Sequence, residues 1–94
     1  MNINAEQLEF ASSVLRALNH PLRKKIIEFI ADQGETNVNN IYNTLKIEQS
    51  VTSQHLKTLR DAELVTSRRV GKKIFYSINM DNFSRYQDAI DQFS

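Results

Sequence analysis

Residues 49–65, QSVTSQHLKTLRDAELV, open with a run of small polar side chains and close in a regular apolar stripe. Leu56 and Leu59 stand three apart, Thr52 lies one helical turn before Leu56, and Leu64 and Val65 follow after a short step with Ala62 beside them. That spacing marks a helix with one buried face. Its other face carries Gln49, Ser50, Val51, Ser53 and Gln54 at the front and Lys57 and Arg60 further along. These are donors, acceptors and cations, with no compact set of catalytic groups. Ser53, His55 and Asp61 do not form a hydrolytic triad: positions two apart on a helix face different ways, and no Gly-rich elbow or oxyanion donors accompany them.

Working outward towards the amino terminus, Asn4-Ala5-Glu6-Gln7 fits a helix start with Asn4 as cap, and Leu8, Ala11, Val14 or Leu15, and Leu18 follow at helical spacing. Asn19-His20-Pro21 ends that helix, and Pro21 suits the first turn of the next. The second helix carries Leu22, Ile26, Ile27, Phe29 and Ile30 and stops at Gln33-Gly34. Glu35 to Val38 reads as a short extended link and Asn39 to Leu45 as a brief third helix with Ile41 and Leu45 inward. Lys46 to Glu48 is a turn, after which Gln49 or Ser50 caps the fourth helix.

Beyond the fourth helix the period changes from helical to alternating. Val65–Val70 and Lys73–Ile78 flank Gly71-Lys72, a two-residue hairpin turn with Gly at its first central position. In that register Val65, Ser67 and Arg69 share a face with Ile78, Tyr76 and Ile74. Asp81 caps a last helix whose stripe is Phe83, Tyr86 or Gln87, Ile90 and Phe93. The fold class is mostly α with a β-hairpin wing, in the order α-α-α-α-β-β-α, and residues 1–94 form one domain.

The formal net charge is only +1, but it is unevenly placed. From Lys46 to Lys73 seven basic residues (Lys46, Lys57, Arg60, Arg68, Arg69, Lys72, Lys73) face three acidic ones (Glu48, Asp61, Glu63), so this segment is +4 and the remainder −3. A solvated charged face would look similar; so would a small nucleic-acid binder on an acidic scaffold. At the hairpin tip Arg68, Arg69, Lys72 and Lys73 cluster around Gly71 with Val70 as the one nearby hydrophobe, which favours phosphate or minor-groove contact over a merely solvated edge. The chain has no cysteine, which excludes disulfides and thiolate metal sites. It shows neither a basic-then-apolar leader nor a long apolar run, so a soluble cytoplasmic protein without membrane contact is expected.

Three segments resemble the ArsR family of bacterial repressors. ALNHPLRKKIIEFI (residues 17–30) is similar to that family's AL-x-HPxR-xxIL-xxL opening. SQHLKTLRDAELV (residues 53–65) is similar to its S-x-HL-x-xL-xxAGLV, and SRRVGKKIFYSI (residues 67–78) to its wing, xRR-x-G-R-x-xYY-x-L. The resemblance covers residues 15 to 78. Lys46 and Glu63 depart from it, standing where the family often has Gly. It implies a winged helix-turn-helix: a homodimeric, operator-binding transcription regulator whose fourth helix enters the major groove of double-stranded DNA.

The residues agree with that implication. Gln49, Ser50, Val51, Ser53 and Gln54 would face base edges, and Gln54 can pair two-pronged with adenine. Lys57, Arg60 and the wing cations would meet the backbone. Ser50 has the alternative of simply capping the helix. Leu8, Ala11, Val14 and Leu15 with Phe83, Tyr86, Ile90 and Phe93 give the terminal helices more apolar surface than so small a core needs, which points to a homodimer. The alternative use of the same surface, as a docking module for protein or RNA, would normally present aromatic anchors.

Many members of the family sense metals through a Cys-x-Cys pair at the start of the third helix. Here Asn37 and Asn39 occupy those places, and neutral amides are poor ligands for soft or borderline metals. The last helix offers Asp81, Asp88 and Asp91 without a His. A non-metal-sensing member with no cofactor is expected, and no residue pattern identifies an effector. His55 is expected half-buried with its ring bonded to backbone, and His20 at a helix junction, while Arg23 is open between a phosphate and a carboxylate partner.

Overall fold

A computed structural model describes residues 5–91, the side chain of Ile90 excepted; Asn4 and Phe93 lie outside the described residues. The order is α1 (Ala5–Leu18), α2 (Pro21–Gln33), β1 (Glu35–Asn37), α3 (Val38–Leu45), α4 (Gln49–Asp61), β2 (Val65–Val70), β3 (Lys73–Ile78) and α5 (Met80–Asp91). Helices and hairpin fall where the residue periodicities put them. The link after Gly34 differs: it is a third strand, β1, antiparallel to β3, with Thr36 opposite Tyr76 and the sheet ordered β1-β3-β2.

Each helix start has a local cause. The His20 ring caps α2, its Nδ1 accepting the Leu22 amide at 3.1 Å with Pro21 in the first turn. Asn37 caps α3 by accepting the Asn40 amide at 2.9 Å. Neither Gln49 nor Ser50 caps α4. Glu48 holds the cap position without a side-chain bond, and the Thr52 hydroxyl turns back onto the Glu48 carbonyl at 3.0 Å. Nor is Asp81 the cap of α5; Asn79, just before the helix, accepts the Asn82 amide at 3.3 Å.

Two turns that the family often builds on Gly form here without it. Lys46 is left-handed (φ 56°, ψ 48°) and returns its amide to the Tyr42 carbonyl. Glu63 (φ 59°) donates its amide to Arg60 at 2.9 Å. At the wing tip Gly71 has φ 63°, whereas Lys72 is not among the positive-φ residues, the pattern of a turn with Gly at its first central position. The pairing Val65↔Ile78, Ser67↔Tyr76 and Arg69↔Ile74 is the expected register.

The core is built from Val14 and Ala17 of α1, Ile26 and Ile30 of α2, Ile41 of α3, Leu56 and Leu59 of α4, and Leu64 and Val65 where the wing begins. Burying each large aliphatic side chain contributes roughly 1.5–3 kcal/mol, so this cluster clamps α4 from its inner side. α5 folds back along α1, burying Ala89 and packing Phe83 and Tyr86 partly against the core. That arrangement revises the apolar surplus expected of α1. Ala11 and Val14 are buried within the chain's own fold, and the exposed large apolar residues of α1 are Leu8 and Leu15.

Candidate nucleic-acid interface

α4 divides into two faces. Thr52, Leu56 and Leu59 are at most 1 % exposed, while Gln49, Ser50, Ser53, Gln54, Lys57 and Arg60 are exposed and Val51 is half-buried. The division follows from one apolar or self-satisfied side chain per turn on the inner side. Thr52 is tolerated at zero exposure because its hydroxyl has the Glu48 carbonyl as partner. The front of the helix is therefore a fixed row of uncharged donors and acceptors held by a packed back.

The wing stands beside it. Of β2 only Val65 is buried, so the hairpin projects beyond the core and carries its tip into solvent. Ser53 of α4 and Lys72, Lys73, Ile74 and Tyr76 of the wing line one cleft of about 190 Å³ with Asn37, Val38 and Asn39 at the start of α3. Reading face and wing tip thus open onto the same side of the molecule. Asn37 serves there as the α3 cap, and among the described residues no group of three or more His, Cys, Asp or Glu could hold a metal ion.

The cations are not equivalent. Lys57 pairs with Asp61 one turn on, Nζ to Oδ2 at 3.0 Å, but both are well exposed and such a pair exchanges readily for a phosphate. Arg68 is engaged more firmly. It lies across β3 above the Phe75 ring, 5.7 Å from its centroid, and reaches Glu35 of β1 with two bonds of 2.7 Å, Nε to Oε2 and Nη2 to Oε1. A two-pronged guanidinium–carboxylate pair is the strong form of the contact. It holds the Glu35 carboxyl below its ordinary range and raises the affinity of Arg68 for its proton. Among the described residues Arg60, Arg69, Lys72 and Lys73 have no ion-pair partner. Arg69 is exposed although its register puts it on the core side of the sheet, because the wing has by then left the core.

Among the described residues Ser53, His55 and Asp61 are not brought together around α4. Ser53 faces outward, Asp61 bonds Lys57, and His55 faces inward towards α2. The His55 ring bonds the Arg23 guanidinium and packs on His20, not on backbone as expected. Arg23 in turn has no carboxylate partner among the described residues; it donates to the carbonyls of Ala17 and Arg16. Glu35 is the residue that sequence reasoning missed. Its partner stands 33 positions away, and only an arginine misplaced in an otherwise free basic run could have signalled it.

The model of the bacterial regulatory protein, arsR family, matches residues 20–67. The transcriptional repressor PagR of Bacillus anthracis is 39% identical over 72 residues, 77% of this chain and 72% of that protein. The HTH-type transcriptional regulator YgaV of Escherichia coli (strain K12) is 33% identical over 78 residues, 83% of this chain and 76% of that one. The crystal structure of PagR superposes with a TM-score of 0.78 at 32% identity, covering 92% of this chain and 95% of the other.

Proposed function

The chain belongs to the arsR family of bacterial regulatory proteins, DNA-binding winged helix-turn-helix transcription regulators, and we propose that it is a homodimeric, cytoplasmic repressor that reads an inverted-repeat operator with α4. The observation that carries this is the split of α4 between a buried inner row and an exposed polar row on the side where the wing presents its cations. Gln49, Ser50, Val51, Ser53 and Gln54 face base edges in the major groove, with Gln54 the base-specific contact. Lys57, Arg60, Arg69, Lys72 and Lys73 meet the backbone, where cations release counterions and bind every sequence alike. Arg68 supports this surface by bracing the wing against β1 through Glu35.

A second copy of the chain covers the exposed Leu8 and Leu15 of α1, joined by the half-buried Phe83 and Tyr86 of α5. Leu8 and Leu15, 48 % and 52 % exposed, lie two turns apart on one helix face, as a docking stripe requires. Two-fold symmetry then places the recognition helices in grooves on one face of the duplex, with half-sites about one helical turn apart or a multiple of it. Selection of random duplex DNA on the purified protein tests the reading. An enriched inverted repeat is the expected outcome. Absence of any enriched sequence would transfer the surface to protein or RNA docking.

A further inference from the structure

Behind the reading face, α4 is anchored by three side chains from three places in the chain. Arg23, in the first turns of α2, donates Nε to the carbonyl of Ala17 and Nη2 to that of Arg16 at 3.3 Å, both in the last turn of α1. Its Nη1 lies 3.3 Å from Nδ1 of His55 on α4. The ring of His20 lies against His55, centroids 4.5 Å apart and planes tilted by 51°. Arginine has donors only, so Nδ1 of His55 accepts and the imidazole is neutral with its proton on Nε2. His20 is held in the same tautomer by accepting the Leu22 amide.

Resting on the DNA-reading role of α4, we infer that Arg23 is the positioning residue of the recognition helix, acting through the neutral imidazole of His55, so that operator binding is lost when His55 takes up a proton. Protonation would turn Nδ1 from acceptor to donor and set two cations face to face at 3.3 Å, with a second imidazole on the other side. Among the described residues no carboxylate pairs with His55, His20 or Arg23 to offset that charge. α1 contributes Arg16 to the adjoining groove, α2 contributes Arg23 and His20, and the Asp61 carboxylate at its edge is held by Lys57. Of the other elements packed on α4, α3 carries Tyr42 as its titratable side chain and β2 carries Arg68 and Arg69, Arg68 being tied to Glu35.

The proton affinity of His55 is pushed below its ordinary 6.5, first by burial and then by the His20 ring and the Arg23 guanidinium beside it. A folded-state affinity lower than the unfolded one means that the unfolded chain binds more protons. The contribution of the anchor is therefore whole above 6.5 and lost as pH falls from there through the lowered value. His55 immediately follows Gln54, so a shift of this turn misplaces the base-reading amide directly.

The test uses the full chain, a duplex enriched from random sequence, and binding measured from about pH 8 to about pH 5. Wild-type affinity should fall by about tenfold per subunit for each pH unit below the His55 titration. His55→Gln, whose amide oxygen accepts from Arg23 without titrating, should lose the acid limb. Arg23→Gln should weaken operator binding at every pH and move the limb up towards 6.5, the ordinary histidine value. His20→Gln should leave a limb in place, shifted upward. Nitrogen chemical shifts of the free protein supply a readout independent of DNA: His55 should carry its proton on Nε2 and titrate closer to 6.5 in Arg23→Gln than in wild type. An acid limb unchanged in His55→Gln, or a His55 protonated on Nδ1, overturns the inference. An Nε2 tautomer coupled to Arg23 in a protein that selects no duplex overturns the DNA reading and leaves the anchor standing.

Discussion

Replacing Lys46 and Glu63 with glycine should stabilise the protein, although both side chains are native. The two residues bracket α4 at φ 56° and 59°, the left-handed region in which a β-carbon crowds the following carbonyl. That conformation costs about 1–2 kcal/mol for a residue with a side chain. Glycine removes the crowding but frees the unfolded chain, which takes back about 0.5–1 kcal/mol. The net gain is about 0.5–1 kcal/mol at each site. No ion pair or hydrogen bond of either side chain among the described residues is lost, since the bonds made there come from the main chain. The 13 residues of α4 separate the sites by roughly 20 Å, so the gains should add to about 1–2 kcal/mol. For a domain of this size each kcal/mol moves the midpoint by about 4–8 °C, and the double variant should melt about 4–16 °C above wild type. The assay is a thermal melt followed by circular dichroism at one fixed protein concentration, because a dimer's midpoint depends on concentration. Lys46→Ala and Glu63→Ala keep the strain and serve as controls. Glycine variants melting no higher than the alanine controls would refute the strain argument.

Gln54→Ala should weaken the operator by about 1–3 kcal/mol and spare random duplex, whereas Lys72→Ala should weaken both and flatten the salt dependence by about one log unit per lost contact. Equal losses on both duplexes for Gln54→Ala, with none for Lys72→Ala, would reverse reader and wing. Leu15→Glu places a charge in the exposed α1 stripe, so light scattering at micromolar concentration should give the monomer mass with helicity intact; a dimer there would move the interface elsewhere. The Glu35 carboxyl is held down first by the hydrogen bonds from Arg68, so the brace is present above the ordinary value of 4.5 and lost as pH falls through the lowered one. In Arg68→Gln the Glu35 titration, followed by carboxyl carbon shifts, should rise towards 4.5; an unmoved titration would contradict the pairing. Zinc, cadmium or arsenite titrated into the protein–DNA complex should leave it intact, and stoichiometric release would point to a site among the acidic residues of the last helix.

The elements and their faces were legible because they rest on short-range rules. Thr52, Leu56 and Leu59 share a helix face through geometry alone, and one Gly in a two-residue turn set the register of the wing along its whole length. Periods of 3.6 and 2 need no knowledge of the rest of the chain. The polar front of α4 was visible for the same reason, as what is left when the packed face is removed.

What the tertiary structure decided lies where two remote segments meet. Residues 35–37 have no period of their own, and only docking against β3 makes them a strand. Arg68 read as one of four wing cations facing DNA until that strand brought Glu35 within 2.7 Å of it. His55 acquired Arg23 as partner through the packing of α2 on α4, and the broad stripe of α1 was divided by its packing on the core and on α5 into buried Ala11 and Val14 and exposed Leu8 and Leu15. A side chain's chemistry is written in the sequence, but the partner that engages or releases it depends on which distant backbone the fold places within about 3 Å.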